Sequence, residues 1–229
     1  MNLRNKIILP LNVALILSII LGDICYMTVG GLLVKAITSI CFVVLGLVNL
    51  TYVILQKQNN LKFPIIMAIG LFFAMLGDIV LNIEFIVGAL LFAVGHIWYF
   101  IAYNFLQKFK PSDLIYGMAI FVPAIIFILC MPIFDFGSLL MKIIVMFYAL
   151  IISFMVGKSI ANLVATPTRQ NILITIGSIL FFFSDLMLLM NVFGNLSPVF
   201  DVLCLATYYP AECVLAFAIF THNTKQANK

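Results

Sequence analysis

Charged residues are scarce in this chain. Only 9% of its 229 residues are Asp, Glu, Lys or Arg, whereas 65% are hydrophobic, and soluble domains are about one quarter charged. A water-soluble fold must place polar groups over a large surface, so this composition excludes a soluble domain. The basic residues are scattered rather than clustered, which argues against a nucleic-acid partner. Lipid is therefore the main solvent of this protein.

Metal-binding residues and common catalytic motifs are equally sparse. The chain has two histidines, His96 and His222, and five cysteines without CxxC spacing. Two histidines exclude a three-histidine zinc site. No P-loop, GxGxxG fingerprint or GxSxG nucleophile turn occurs. We therefore expect neither a metal nor a cofactor.

The apolar residues fall into eight runs, each close to the length of about 20 residues that a membrane-spanning helix needs. The spans must be helical, because lipid offers no hydrogen-bond partners to free backbone N–H and C=O groups. The first run is longer than the apolar core of a signal peptide, so we expect it to be retained as a membrane-spanning helix and not cleaved off. The sequence thus predicts an all-α polytopic bundle in one transmembrane domain, 1–229. The runs are 7–28, 32–55, 63–82, 85–106, 113–131, 138–160, 172–192 and 199–221.

Basic residues are distributed unequally between the two sides of the predicted bundle. Ten of the twelve lie at the termini or at alternate loops and span ends, and only Lys35 and Lys142 fall on the other side. Basic residues mark the cytoplasmic face of membrane proteins. We therefore expect both termini in the cytoplasm, and we expect the chain in the inner membrane of a bacterial cell. The cytoplasmic set is Arg4, Lys6, Lys57, Lys62, Lys108, Lys110, Lys158, Arg169, Lys225 and Lys229.

A short internal similarity indicates a repeat. Residues 70–78 read GLFFAMLGD and residues 177–185 read GSILFFFSD, which places Asp78 and Asp185 107 positions apart. Both segments belong to spans that run in the same direction. The pattern predicts a 4+4 parallel repeat, with a first half of about 1–110 and a second half of about 111–229.

Several polar side chains lie inside the predicted spans, where a charge costs at least about 2.5–3.5 kcal/mol. Asp78 and Asp185 each follow a basic residue by 16 positions, which puts both at a similar depth, about 24 Å along the helix. His96 and Glu212 fall near the middle of their spans. Other polar residues follow at helical spacing, so four polar faces are expected to converge on one enclosed pocket. These neighbours are Asn82, Tyr99, Tyr208 and Tyr209.

Two carboxyl groups in an apolar site suit acid–base chemistry. They cannot both ionise easily, so one can hold a proton while the other carries charge. That combination favours cleavage of an acid-labile bond. A small-molecule or proton-coupled transporter, or a lipid-binding membrane protein without activity, would also carry buried acids. His96 alone could also be a packing histidine.

Three patches of sequence resemble the YhhN family, the lysoplasmalogenases. They are GLFFAMLGDIVLNIEFIVGALLFAVGHIWYF (70–100), ILFFFSDLMLLMNVF (179–193) and TYYPAECVLAF (207–217). The chain departs from the family where Glu212 replaces the usual Gln.

The resemblance implies an eight-span ether hydrolase. Such an enzyme cleaves the vinyl ether bond of lysoplasmalogen into a fatty aldehyde and glycerophosphoethanolamine or glycerophosphocholine. A lysophospholipid would then be the substrate, with Asp78 and Asp185 as catalytic residues. The expected substrate contacts are Asn82, His96, Tyr99, Tyr208, Tyr209 and Glu212. Neither the resemblance nor the residues predict an oligomeric state.

Overall fold

A computed structural model describes residues 3–194 and 196–222 of the chain. Those residues form eight α-helices and no strand. All eight are long and apolar enough to cross a membrane, which confirms the predicted all-α membrane bundle. The helices are α1 (Leu3–Val29), α2 (Leu32–Leu55), α3 (Lys62–Val80), α4 (Phe85–Leu106), α5 (Asp113–Cys130), α6 (Leu139–Ala165), α7 (Arg169–Gly194) and α8 (Val199–Phe220).

The largest difference from the predicted runs is at the end of α6, which continues to Ala165 instead of stopping near residue 160. The polar residues in this last part of α6 are buried between helices. Lys158 is 1% exposed, and its ammonium lies 2.6 Å from the Asp113 carboxylate at the start of α5. The amide of Asn162 donates to the carbonyl of Tyr103 at 2.8 Å. These partners replace the water that would otherwise surround a loop.

An even number of helices puts both ends of the described chain on one side of the bundle. We call this side the terminal end and the other the distal end. The distal end carries the connections 29–32, 80–85, 130–139 and 194–199. The compartment that each end faces stays a prediction. Of the basic residues behind it, Lys225, Lys229 and the side chain of Arg4 lie outside the described part of the chain.

Helix packing differs between the two predicted halves. Between the halves, α2 packs against α8 and α4 against α6, which are equivalent contacts if the second four helices repeat the first four. However, α1 also packs against α8, whereas α5 packs against α6 alone among the described helices. A gap therefore separates α5 from α4. The repeat itself stays a prediction.

Candidate functional site

Asp78 on α3 lies in a buried, compensated polar cluster. Its Oδ1 is 3.0 Å from the Lys35 ammonium on α2. Its Oδ2 accepts hydrogen bonds from Ser39, one turn further along α2, and from the Tyr209 hydroxyl at 2.9 Å. Asp78 is 3% exposed and Lys35 6% exposed. An ammonium and two hydroxyl donors therefore surround this carboxyl group inside the bundle.

Asn82 lies one turn beyond Asp78 but makes no hydrogen bond to its carboxylate. The Asn82 amide donates to the backbone carbonyl of Asp78 at 2.8 Å, and its oxygen accepts from the Tyr26 hydroxyl at 3.3 Å. The Lys35 ammonium lies 5.2 Å from the centre of the Tyr26 ring. Asn82 and Tyr26 thus border the cluster on its distal side.

Asp185 on α7 lies in a second polar cluster, whose other members are a tyrosine and a histidine. The Tyr148 hydroxyl on α6 donates to Asp185 Oδ2 at 2.7 Å. The same hydroxyl oxygen is 2.8 Å from His96 Nε2 on α4, which itself lies 3.4 Å from Asp185 Oδ2. Because tyrosine has one proton and gives it to Asp185, the Nε2 atom must be the donor in its bond to Tyr148. His96 is buried, and its Nδ1 has no partner among the described residues.

The two clusters lie on helices that correspond to each other in the predicted repeat. Asp78 is held by α2 of its own half and by Tyr209 on α8 of the other half. Asp185 is held by Tyr148 on α6 of its own half and by His96 on α4 of the other half. The helix pattern is the same, but one acid faces a cation and the other faces a phenol and an imidazole.

A cavity of about 480 Å³ lies between α4, α5, α6 and α7 and reaches Asp185. It fills the gap that separates α5 from α4. Its lining in the described chain is apolar except for Tyr148 and Asp185. Ala119 and Pro123 on α5 line both this cavity and an apolar groove on the outer surface of α5. The cavity therefore borders the apolar outer surface of α5.

Glu212 on α8 lies outside that lining and is 0% exposed. Its Oε2 accepts from the Tyr99 hydroxyl at 2.8 Å, and its Oε1 has no partner among the described residues. No described cation lies within 4.0 Å of it. Burying an unpaired charge is very unfavourable, so this geometry favours the neutral carboxylic acid.

Three aromatic rings lie between the cavity and the Asp78 cluster. Phe92 lines the cavity and packs edge-on against Tyr208, with 5.7 Å between ring centres. Phe181 packs against the same tyrosine at 5.3 Å, and Tyr208 in turn contacts Tyr209 at 4.9 Å. The Tyr208 hydroxyl reaches only the carbonyl of Ala74, at 3.4 Å. Tyr208 therefore contributes mainly aromatic packing to this part of the bundle, and its hydroxyl contributes little polar contact.

The structure therefore distributes the predicted site residues over three neighbouring groups. Asp78 shares a group with Tyr209 and Asn82, Asp185 with His96, and Glu212 with Tyr99. In the part of the chain described, Asp78 and Asp185 have no common hydrogen-bond partner, and only Asp185 lines the cavity. No three His, Cys, Asp or Glu side chains in those residues are close enough to hold a metal ion.

Sequence reasoning missed three participants: Lys35, Ser39 and Tyr148. The charge count places Lys35 on the side opposite the cytoplasmic set, but a lysine in the first turn of an otherwise apolar helix also signals a buried partner. Ser39 follows it by four residues, on the same helix face. Tyr148 carried no comparable signal, because its surroundings on α6 are uniformly apolar.

These features define a multi-pass α-helical membrane protein with two acid clusters, one of which faces an apolar cavity. The sequence model of the YhhN family matches residues 30–219, which include nearly all of α2–α8. The chain therefore belongs to the YhhN family. No curated protein and no solved structure gives a significant match.

Proposed function

We propose that this protein is a lysoplasmalogenase-like hydrolase that cleaves the vinyl ether bond of a single-chain ether phospholipid, with Asp185 as the reacting acid. The observation that carries the proposal is the placement of Asp185 and Tyr148 as the polar residues in an otherwise apolar cavity beside the outer surface of α5. An alkenyl chain fits such a lining, and its first carbons would then lie against the carboxyl group.

Cleavage would begin with transfer of a proton to carbon. The Asp185 carboxyl O–H bond breaks, a C–H bond forms at the second alkenyl carbon, and the ether carbon becomes an oxocarbenium ion. The carboxylate left on Asp185 then faces this cation. An apolar cavity strengthens their attraction, because little water is present to screen it.

Water would complete the reaction on the same carboxylate. Its oxygen bonds to the cationic carbon and its proton moves to Asp185, which restores the acid and leaves a hemiacetal. The C–O bond from the hemiacetal carbon to the glycerol oxygen then breaks, and the hemiacetal hydroxyl proton passes to that oxygen, which releases aldehyde and alcohol. Tyr148 and His96 act as positioning residues, since their hydrogen bonds fix the orientation of the carboxyl group.

Asp78 is less suited to the proton-transfer role. The Lys35 ammonium at 3.0 Å and two hydroxyl donors hold its carboxyl group inside the bundle, so it is not free to approach a substrate. Asp78 also does not line the cavity. We therefore assign Asp78 to the support of the bundle beside the site.

Aldehyde release from lysoplasmalogen by the purified protein tests the proposal. Asp185→Asn should lower kcat by about 10²–10⁴-fold, the usual contribution of a general acid, with an unchanged elution profile and melting temperature. Asp201→Asn is the matched control, because Asp201 lies on the distal first turn of α8 outside the cavity, and it should keep full activity.

Two outcomes would reject the proposal. One is full activity in Asp185→Asn. The other is the absence of aldehyde from the folded wild-type protein together with solute flux in proteoliposomes, which would identify a transporter instead.

A further inference from the structure

The distal end of the bundle carries two basic residues, Lys35 and Lys142. The ammonium of Lys35 is bound in the ion pair with Asp78. Lys142 is half-buried and has no carboxylate within 4.0 Å among the described residues. Within the described chain, Lys142 is thus the cation at this end without an anionic partner.

Lys142 lies at the distal rim of the cavity. On α6 it precedes Val145 by three residues and Ala149 by seven, and both line the cavity. Residues at these spacings share one helix face. The Lys142 ammonium is 5.9 Å from the centre of the Phe136 ring. The Phe136 ring in turn lies 5.1 Å from that of Phe193, which also lines the cavity.

The axial separation of Lys142 and Tyr148, the tyrosine that donates to the acid, is close to the dimensions of a glycerophospholipid. Lys142 precedes Tyr148 by six residues, which is about 9 Å along a helix axis. Five single bonds separate the ether oxygen of a single-chain glycerophospholipid from its phosphorus, and at about 1.5 Å per bond they span less than about 8 Å. The flexible lysine stem can cover the difference.

We propose that Lys142 binds the phosphate of a single-chain glycerophospholipid whose ether end reaches Asp185. The chain then leaves the cavity past Ala119 and Pro123 and lies in the groove on α5. The inference rests on the proposed function, because it places the substrate at the same acid. It adds that the protein recognises the phosphate group of its ligand as well as the hydrocarbon chain.

Kinetics with two substrates test this selection. Lys142→Gln should raise KM for lysoplasmalogen about tenfold, the scale of one lost charge-assisted contact, with kcat unchanged. The same variant should leave KM for 1-alkenylglycerol, which has no phosphate, at the wild-type value. Lys142→Arg should restore the wild-type KM for lysoplasmalogen.

Lys62→Gln is the matched control. Its ammonium makes the same kind of aromatic contact, 5.3 Å from the Phe105 ring, at the terminal end of the bundle. This variant should leave both KM values unchanged. A KM for lysoplasmalogen that stays at the wild-type value in Lys142→Gln, or rises equally for the two substrates, overturns the inference.

A binding measurement separates this inference from the proposed function. The probe is 1-O-hexadecyl-glycero-3-phosphoethanolamine, a saturated ether that cannot be cleaved by this route, titrated calorimetrically into the protein in nanodiscs. Lys142→Gln should weaken its binding about tenfold, and glycerol 3-phosphate should not compete. If the probe binds through Lys142 while no aldehyde forms from lysoplasmalogen, the inference stands and the proposed function fails.

Two other outcomes would reject the inference. Aldehyde release with probe affinity unchanged in Lys142→Gln rejects the inference and keeps the function. Effective competition by glycerol 3-phosphate would show a site for a soluble phosphate, and it would overturn the lipid assignment.

Discussion

Asp78 and Asp185 are the same residue type on equivalent helices, but their neighbours give them different chemistry. Asp78 faces Lys35 at 3.0 Å and is isolated from the cavity. Asp185 faces Tyr148 and His96 and lines the cavity. Loss of either acid is expected to stop hydrolysis, for different physical reasons.

Asp78→Asn should inactivate the protein by destabilising it. The change leaves the Lys35 ammonium buried without its anion, and breaking a buried ion pair from one side costs about 3–5 kcal/mol. Thermal unfolding in detergent should show a clear drop in melting temperature, in contrast to Asp185→Asn. The double variant Lys35→Met with Asp78→Asn removes the uncompensated charge and should recover most of that stability.

An Asp78→Asn protein that is as stable as wild type but inactive would contradict this assignment and would return Asp78 to the catalytic machinery. Asn keeps an oxygen acceptor for Ser39 and Tyr209, so the comparison isolates the charge.

The residue types at the site were predictable, whereas their partners were not. An aspartate inside an apolar run predicts a buried polar contact whatever the fold, and this is how Asp78, Asp185, His96 and Glu212 were selected. Which side chain each one meets depends on packing between helices distant in sequence. Tyr209, for example, meets an acid 131 residues earlier, and no local pattern encodes that contact.

At the scale of helices, α5 is the least supported element of the described bundle. It packs against α6 alone, contains Pro123, and forms one wall of the cavity. Its contact with α6 is close because Gly157 meets the backbone of Gly117, and a Cβ at residue 157 would overlap the Gly117 backbone. Small residues at a crossing allow helices in membranes to approach in this way.

Gly157→Ala should therefore weaken the attachment of α5. Backbone atoms cannot move aside as a side chain can, so we expect a loss of about 1–3 kcal/mol, the usual range for overpacking. Denaturant-induced unfolding in mixed micelles measures the change. Val164→Ala, at a 64% exposed position on the same helix, should be nearly neutral. Equal stability of Gly157→Ala and wild type would show that α5 tolerates displacement.

The helices themselves were predictable to within a few residues, since apolar length and polar punctuation determine where a span begins and ends. The gap between α4 and α5 was not. The parts of both helices that border the cavity are apolar, and nothing in their sequences distinguishes an apolar face that packs on protein from one that borders a cavity.

For the molecule as a whole, His222 links three segments at the terminal end. Its Nε2 donates to the Asn60 carbonyl at 2.9 Å, and its Nδ1 accepts from the Gln170 amide at 3.2 Å. Its ring stacks on Phe63, with 5.3 Å between centres. Burial lowers the pKa of His222, although its bond to Asn60 acts in the opposite direction.

Stability should consequently fall in mild acid. A histidine whose pKa is lower in the folded state stabilises the fold above its unfolded pKa of about 6.5, and this contribution is lost as the pH falls below that value. The melting temperature should drop between pH 7.5 and pH 5. His222→Gln, which does not titrate there, should show a smaller drop. An identical drop in both proteins would assign the effect to other groups.

The position of the cavity has a consequence for substrate supply. Its lining lies in the distal half of the bundle, opposite the termini. With the termini in the cytoplasm, as the basic residues predict, the protein would draw its lipid from the outer leaflet of the membrane. A lysolipid generated in the inner leaflet would first have to cross the bilayer. Turnover in the cell would then depend on transbilayer movement as well as on the chemistry at Asp185.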